Sequence, residues 1–341
     1  MKHKTFFWFF LPTAAAMLLF IAFPIVSVVL QSFFLPHEAV LIETENCGPF
    51  GCTTSTAIDQ EATQVQWDER PWGRFAGFEI YTDRGHLATG EVAEAWRTSE
   101  SFPEFWREVR DLPFYAAMSF TLVYTFTVTP ALIVLGFVIA VAVNSLNKRL
   151  KGLMIFFSLL PMIVTPIVGA LILFWMIDSR GILGNLLSWL ANDPDLSLKA
   201  STPLMWISLI VYGIWSSAPF AFVVFYAGLQ TVPQDTMESA QIDGATRWQQ
   251  TRYVVLPHLA PLVTFVALIQ LMDNFRVFEP IVGFTAQAHA QSLSWIIFND
   301  LGGETRQLSA AATTSVLTII GVAILLSPVL VRTWREHRGK T

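Results

Sequence analysis

Residues 228–261 read GLQTVPQDTMESAQIDGATRWQQTRYVVLPHLAP, the longest polar interruption in the apolar second half of the chain. Pro233 suits a first helical position, where its missing N–H costs nothing. Asp235 and Glu238 put negative charge in the first turns, which is favourable against the helix dipole. Gly244 is free to take the left-handed conformation that ends one helix and turns the chain. A second short helix, from about Thr246, then carries Arg247, Trp248 and Arg252. The reading is a helix, a glycine turn and a helix, forming a hairpin between two membrane spans.

Working outward, the whole chain is 53% hydrophobic and 14% charged, whereas a soluble globular chain carries roughly 25% charged residues. A membrane protein is the expectation. A spanning helix needs about 20 apolar residues, and six stretches qualify: Phe6–Phe34, Phe114–Asn144, Leu153–Ile177, Pro203–Leu229, His258–Phe284 and Leu308–Val331. The first is too long for the apolar region of a signal peptide, and no small-residue cleavage pattern follows closely. It is read as a retained span. Two cysteines exclude a disulfide scaffold and a four-cysteine zinc site. The six histidines have no metal-binding spacing, so no metal site is expected.

The net charge of −5 is uninformative as a total, because charge is sorted by loop. With the N-terminus inside, the cytoplasmic set holds Lys2, Lys4, Lys148, Arg149, Lys151, Arg247, Arg252, Arg332, Arg335, Arg338 and Lys340, against Arg180, Lys199 and Arg306 in the two short external loops. That asymmetry follows the positive-inside rule and puts both termini and the Glu238 hairpin in the cytoplasm. The chain divides into a first transmembrane helix (1–35), a polar external insertion (36–112) and a core of five further helices (113–335). The insertion holds Trp67, Trp72, Trp96 and Trp106, enough aromatic residues to expect a small folded lobe or cap. Its Cys47 and Cys52 are expected to form a disulfide in an oxidising compartment, with Gly48 and Gly51 allowing the tight turn.

Glu238-Ser239-Ala240, Gly244 and Val254-Val255-Leu256-Pro257 stand at the offsets of the EAA loop of ABC-importer permeases, which this stretch resembles. Ser for Ala and Val for Ile are small departures. The resemblance extends, in order, through Phe75-Ala76-Gly77-Phe78, Phe105-Trp106, Trp175 with Gly181-Ile182-Leu183-Gly184-Asn185, Trp215 with Pro219-Phe220, and Ala227-Gly228-Leu229-Gln230. Apart from the two motifs in the insertion, its coverage is roughly Met118 to Ser327, and it points to the maltose-type branch of carbohydrate importers. Membership would imply an all-α membrane fold of six transmembrane helices and an EAA loop at 230–257. Within that loop, Glu238, Ser239, Ala240, Asp243, Gly244, Leu256 and Pro257 would couple to an ATPase. It would also imply a second homologous permease, two ABC ATPase subunits that bind ATP and Mg, a periplasmic solute-binding protein and an inner-membrane location. The cargo would be a sugar, glycoside or polyol derivative, and a glycerol phosphodiester falls within the same branch.

Gln270, Asp273, Asn274, Arg276 and Glu279 load the second half of span five with polar chemistry. Such groups usually face a bundle interior or a water-filled cavity. Gln270, Asn274 and Phe278 are spaced i, i+4, i+8, along one helix face, and Asp273–Arg276 and Arg276–Glu279 are i,i+3 pairs. Arg276 stands equally as a member of a structural ion-pair cluster and as a lining that bonds sugar hydroxyls. Trp215 of span four is placed on the same pathway. The family's Gly-rich segment after this point is replaced by Gly283-Phe284-Thr285-Ala286.

Three function classes compete. A proton-coupled secondary carrier would use Asp273 and Glu279 but calls for inverted repeats and broken helices, which the sequence does not display. A membrane enzyme would need a nucleophile, metal or cofactor constellation, and none is visible. Gly339-Lys340-Thr341 is no Walker A loop, because Trp334 stands where its first glycine is needed. The chain is read as a permease subunit with no catalytic residues, no cofactor of its own and no nucleic-acid partner.

Overall fold

The computed structural model describes residues 3–35, 40–48, 51–69, 72–193, 197–302 and 307–338. It is overwhelmingly helical. Five helices are long and apolar enough to cross a membrane: Phe6–Gln31, Pro113–Asn144, Thr202–Leu229, Arg247–Phe275 and Leu308–Val331. A further apolar pair, Lys148–Ile163 and Pro166–Met176, makes a sixth crossing if it is counted as one span, and it is bent by 95°.

That bend corrects the expected straight span Leu153–Ile177. Thr165 precedes Pro166, and the proline ring disfavours helical geometry in the residue before it. Val164 and Thr165 are accordingly extended, with ψ of 128° and 140°, and Pro166 opens the next helix. The same bend overturns the expectation that broken helices are absent. It therefore removes one of the two grounds for setting the secondary carrier aside.

The fifth span is also displaced, to Arg247–Phe275 rather than His258–Phe284. It begins at a capping box: Gln249 N donates to Thr246 Oγ1 at 3.3 Å, and Thr246 N donates to Gln249 Oε1 at 2.7 Å. One wider turn, Thr251–Val255, then carries the helix into Leu256–Phe275 without a break. The expected second short helix of the hairpin is thus the first turns of span five. Pro233 sits at the cap, and the preceding helix is Gln234–Ile242.

The described chain forms two compact units. One comprises Met1–Tyr115 with Ile296–Ile319. Here the insertion is tied to the ends of two spans. Phe34–Leu35 pairs antiparallel with Arg74–Phe75. Tyr81 donates its hydroxyl to Ser32 at 2.7 Å while Ser32 donates to the Val29 carbonyl. Ser309 bonds the Phe34 carbonyl, and His86 Nε2 meets the Ala310 carbonyl at 3.1 Å. Among the described residues, two antiparallel strand pairs are the only sheets in an otherwise helical fold; the second joins Leu41–Gly48 to Gly51–Ile58. Cys47 faces Cys52 in that register, but their side chains lie outside the described residues.

The other unit comprises Ala116–Trp295 with Ile320–Thr341. Its core draws Phe120, Val128 and Leu132 from span two, Leu209, Phe222 and Phe225 from span four, and Ile281 and Phe284 from beyond span five, all buried. In its loop after the bent span, Lys199 donates to Asp178 at 2.8 Å and lies 3.4 Å from the Phe174 ring centroid. Lys199 holds the Asp178 carboxyl below the usual carboxylate range.

Candidate functional site

Two regions of the second unit gather most of the residues expected to be functional. The first is the loop before span five. Helix Gln234–Ile242 ends in a complete left-handed cap: Gly244 has φ of +75°, its N–H donates to Gln241 O at 3.0 Å, and Ala245 N donates to Ala240 O at 3.0 Å. Those two bonds satisfy carbonyls the helix end would otherwise leave unpaired. The turn projects its flanks outward. Glu238, Ser239, Asp243, Gly244, Leu256 and Pro257 are exposed and Ala240 is half-buried. Ile242 is 86% exposed and Trp248 70% exposed. Apolar side chains so bare on a polar loop are the chemistry of a docking surface.

The second region is a cavity of about 460 Å³ lined by Tyr124, Pro166, Tyr212, Ser216, Ser217, Asp273, Asn274, Arg276, Val277, Glu279 and Pro280. It forms where three interruptions meet. The bent span supplies Pro166, the end of span five supplies Asp273 and Asn274, and the following helix Glu279–Gly283 supplies Glu279 and Pro280. Irregular backbone at membrane depth is tolerated where it lines a cavity. Two phenols enter it, each seated against a glycine. A Cβ on Gly213 would lie 2.1 Å from the Tyr124 hydroxyl, and one on Gly169 would lie 2.7 Å from that of Tyr212. Only a residue without a side chain leaves room for either ring.

Arg276 Nη2 donates to Asp273 Oδ1 at 2.8 Å, and their side chains are 56% and 48% exposed. The pair is therefore half open to the cavity rather than a buried cluster. Glu279 is exposed as well. The expected Arg276–Glu279 helical pair does not form, because the helix ends at Phe275 and Arg276 and Val277 turn the chain. For the same reason Phe278 leaves the Gln270–Asn274 face; it caps the next helix instead. Asn274 is buried and its Nδ2 donates to Thr129 Oγ1 of span two at 3.0 Å. Gln270 is buried and does not line the cavity.

Trp215 lines a neighbouring apolar pocket with Val164, Gly169, Ile172, Leu173, Met176, Val211 and Tyr212. Tyr212 belongs to both, its ring 6.0 Å from that of Trp215. Of the residues expected on the pathway, four line the polar cavity: Asp273, Asn274, Arg276 and Glu279. Tyr124, Tyr212, Ser216 and Ser217 were not expected there. The serines follow Trp215 directly, and paired hydroxyls in an apolar span were a usable signal. The tyrosines had none, since their role depends on glycines from other turns. A cavity of hydroxyls, one guanidinium and two carboxylates can bond a polyhydroxylated solute from several sides.

Comparison with known proteins follows the same lines. A family model described as the binding-protein-dependent transport system inner membrane component matches residues 132–336. The chain is 30% identical over 237 residues to the probable ABC transporter permease protein y4oQ of Sinorhizobium fredii (strain NBRC 101917 / NGR234), covering 68% of this chain and 74% of that one. It is 29% identical over 238 residues to the galactooligosaccharides transport system permease protein GanP of Bacillus subtilis (strain 168), covering 65% and 55%. A chain from the crystal structure of a bacterial ABC transporter that imports the acidic polysaccharide alginate matches with a TM-score of 0.59 at 21% identity, over 81% of this chain and 96% of that one. At that identity the likeness is one of fold.

Proposed function

The chain belongs to the family of binding-protein-dependent transport system inner membrane components, and on that premise we propose that it forms half of the pathway of an ATP-driven sugar importer. It is a multi-pass permease subunit of an ABC importer. A second, homologous permease completes the pathway, two ABC ATPase subunits bind ATP and Mg, and a periplasmic solute-binding protein delivers the cargo. Both termini and the loop at 230–257 face the cytoplasm, and 36–112 lies outside. Glu238, Ser239, Ala240, Asp243 and Gly244 dock on the ATPase with Ile242 as the apolar contact, and Leu256 and Pro257 flank it. ATP binding and hydrolysis then move the spans, and access to the cavity alternates.

The observation that carries the reading is the polar cavity, assembled where three helix interruptions meet in the apolar core. Sugar is the solute class because hydroxyl-rich, partly charged linings suit polyhydroxylated ligands, and because one relative at 29% identity is named as the permease of a galactooligosaccharides transport system. The test is uptake by liposomes holding the complete complex, with the solute chosen by a thermal-shift panel on the cognate binding protein. Accumulation that requires both ATP and the binding protein supports the proposal. Accumulation by this chain alone, driven by a proton gradient, overturns it in favour of the carrier.

A further inference from the structure

The polar insertion leaves aromatic side chains bare at the two points where it joins membrane spans. Helix Phe102–Arg110 ends three residues before Pro113, the first residue of span two. Even a fully extended chain would keep Arg110 within about 10 Å of that span. The link is not extended, since Asp111 N donates to Arg107 O at 3.2 Å and Leu112 N to Val109 O at 3.1 Å. The C-terminal end of the helix is therefore held beside the first residue of that span.

Its apolar residues Phe102, Phe105, Trp106 and Val109 follow the i, i+3, i+4, i+7 rule for a single face. That face is only half used inside the protein. Val109 is buried, and the Phe105 ring meets Trp96 edge-on at 5.2 Å. Phe102 stays 70% exposed, Trp106 52% and Trp96 66%. Glu104 and Arg107 lie on the opposite side, and Arg110 flanks the apolar face in the last turn. A second aromatic surface stands at the other junction. Phe75 pairs in register with Phe34, three residues past span one, and Trp72, Phe75 and Phe78 are all exposed.

We propose that helix Phe102–Arg110 lies in the plane of the membrane interface, with Phe102, Trp106 and the neighbouring Trp96 sunk among lipid headgroups. Helices with Trp and Phe on one face and charge on the other bind the boundary between headgroups and acyl chains in this orientation, and Trp is enriched at that depth. The occupant is lipid because only Asp111 and Leu112 separate the helix from the first residue of an apolar span, and because a matching aromatic surface recurs beside the end of span one. The insertion then rests on the leaflet instead of standing free in solution.

The test uses the complete complex in lipid nanodiscs, with Cys47 and Cys52 replaced by serine and single cysteines introduced by Trp106→Cys or Glu104→Cys. Each is labelled with an environment-sensitive fluorophore. At 106 the emission should be blue-shifted and quenched at least about twofold more by nitroxide-bearing lipid than by aqueous iodide, the pattern of a group at the interface. At 104 the ratio should reverse. Phe102→Cys serves as a second reporter on the same face, should Trp106→Cys assemble poorly. Iodide quenching that dominates at both 102 and 106 overturns the proposal. So does protection from both quenchers, which would mark a protein surface.

Discussion

Tyr212, midway along span four, donates its phenolic hydrogen to the carbonyl of Pro166, the first residue beyond the bend in span three. Pro166 opens the helix that resumes after the extended Val164 and Thr165. One hydrogen bond thus ties a break in one span to the face of the next, at the wall of the polar cavity. The cavity's shape follows from this tie and from the glycines that seat its two phenols.

Gly213→Ala should destabilise the complex through the Tyr124 hydroxyl, which would stand 2.1 Å from the new Cβ. Overpacking of this kind costs about 1–3 kcal/mol. Adding Tyr124→Phe removes the oxygen that clashes worst and should recover part of the loss, the ring carbon Cζ still standing 2.8 Å from the new Cβ. Thermal unfolding of the purified complex reads both; an unchanged melting temperature in Gly213→Ala would refute the packing account.

Asn274 clamps span five to span two through Thr129. Asn274→Ala leaves the two spans without that bond, a loss of about 1–3 kcal/mol for a buried donor–acceptor pair. Thr129→Val should cost a similar amount, and the double variant little more than either alone. Additive losses in a double-mutant cycle would show that the two side chains act independently.

At Gly244 the obstacle is backbone conformation rather than space, since nothing lies within 4 Å of where a Cβ would sit. A side chain held at φ of +75° is strained by about 1–2 kcal/mol. Uptake should therefore fall in the order Gly, Asn, Asp, Ala, because Asn and Asp tolerate the left-handed region better than Ala does. Binding-protein-stimulated ATPase activity should fall alongside it. Equal uptake by Gly244→Ala and Gly244→Asn would remove backbone strain as the cause.

Cys47 and Cys52 face one another across the hairpin Leu41–Gly48 and Gly51–Ile58. A disulfide there closes a short loop and should stabilise the insertion by about 2 kcal/mol. Mass spectrometry after maleimide treatment without reductant should find neither cysteine labelled. Full labelling of both would show a free thiol pair.

The spans and the Gly244 turn were legible because local rules decide them: apolar length for the first, a glycine beside a capped helix for the second. The bend at Thr165-Pro166 was legible too, in the steric rule for residues before proline, but the apolar run around it hid the signal. The start of span five misled for the opposite reason. Thr246 and Gln249 form a capping box inside polar sequence, so the helix begins well before the apolar residues do. Asp273, Asn274, Arg276 and Glu279 were found because charge and amide stand out in an apolar span. Phe278 failed because the i, i+4, i+8 pattern assumed a helix that ends at Phe275. Tyr124 and Tyr212 were out of reach, since only tertiary packing against Gly213 and Gly169 brings them into the cavity.

The central claim is that solute passes the Asp273–Arg276 pair, and Arg276→Ala tests it most directly in ATP-dependent uptake by liposomes holding the complete complex. Both side chains are half exposed, so the variant should assemble normally and keep its basal ATPase activity. Uptake should fall about tenfold or more, matching the loss of a charged hydrogen bond to solute of about 1.5–3 kcal/mol. An Arg276→Ala complex that assembles, hydrolyses ATP and imports its solute at the wild-type rate would contradict the account.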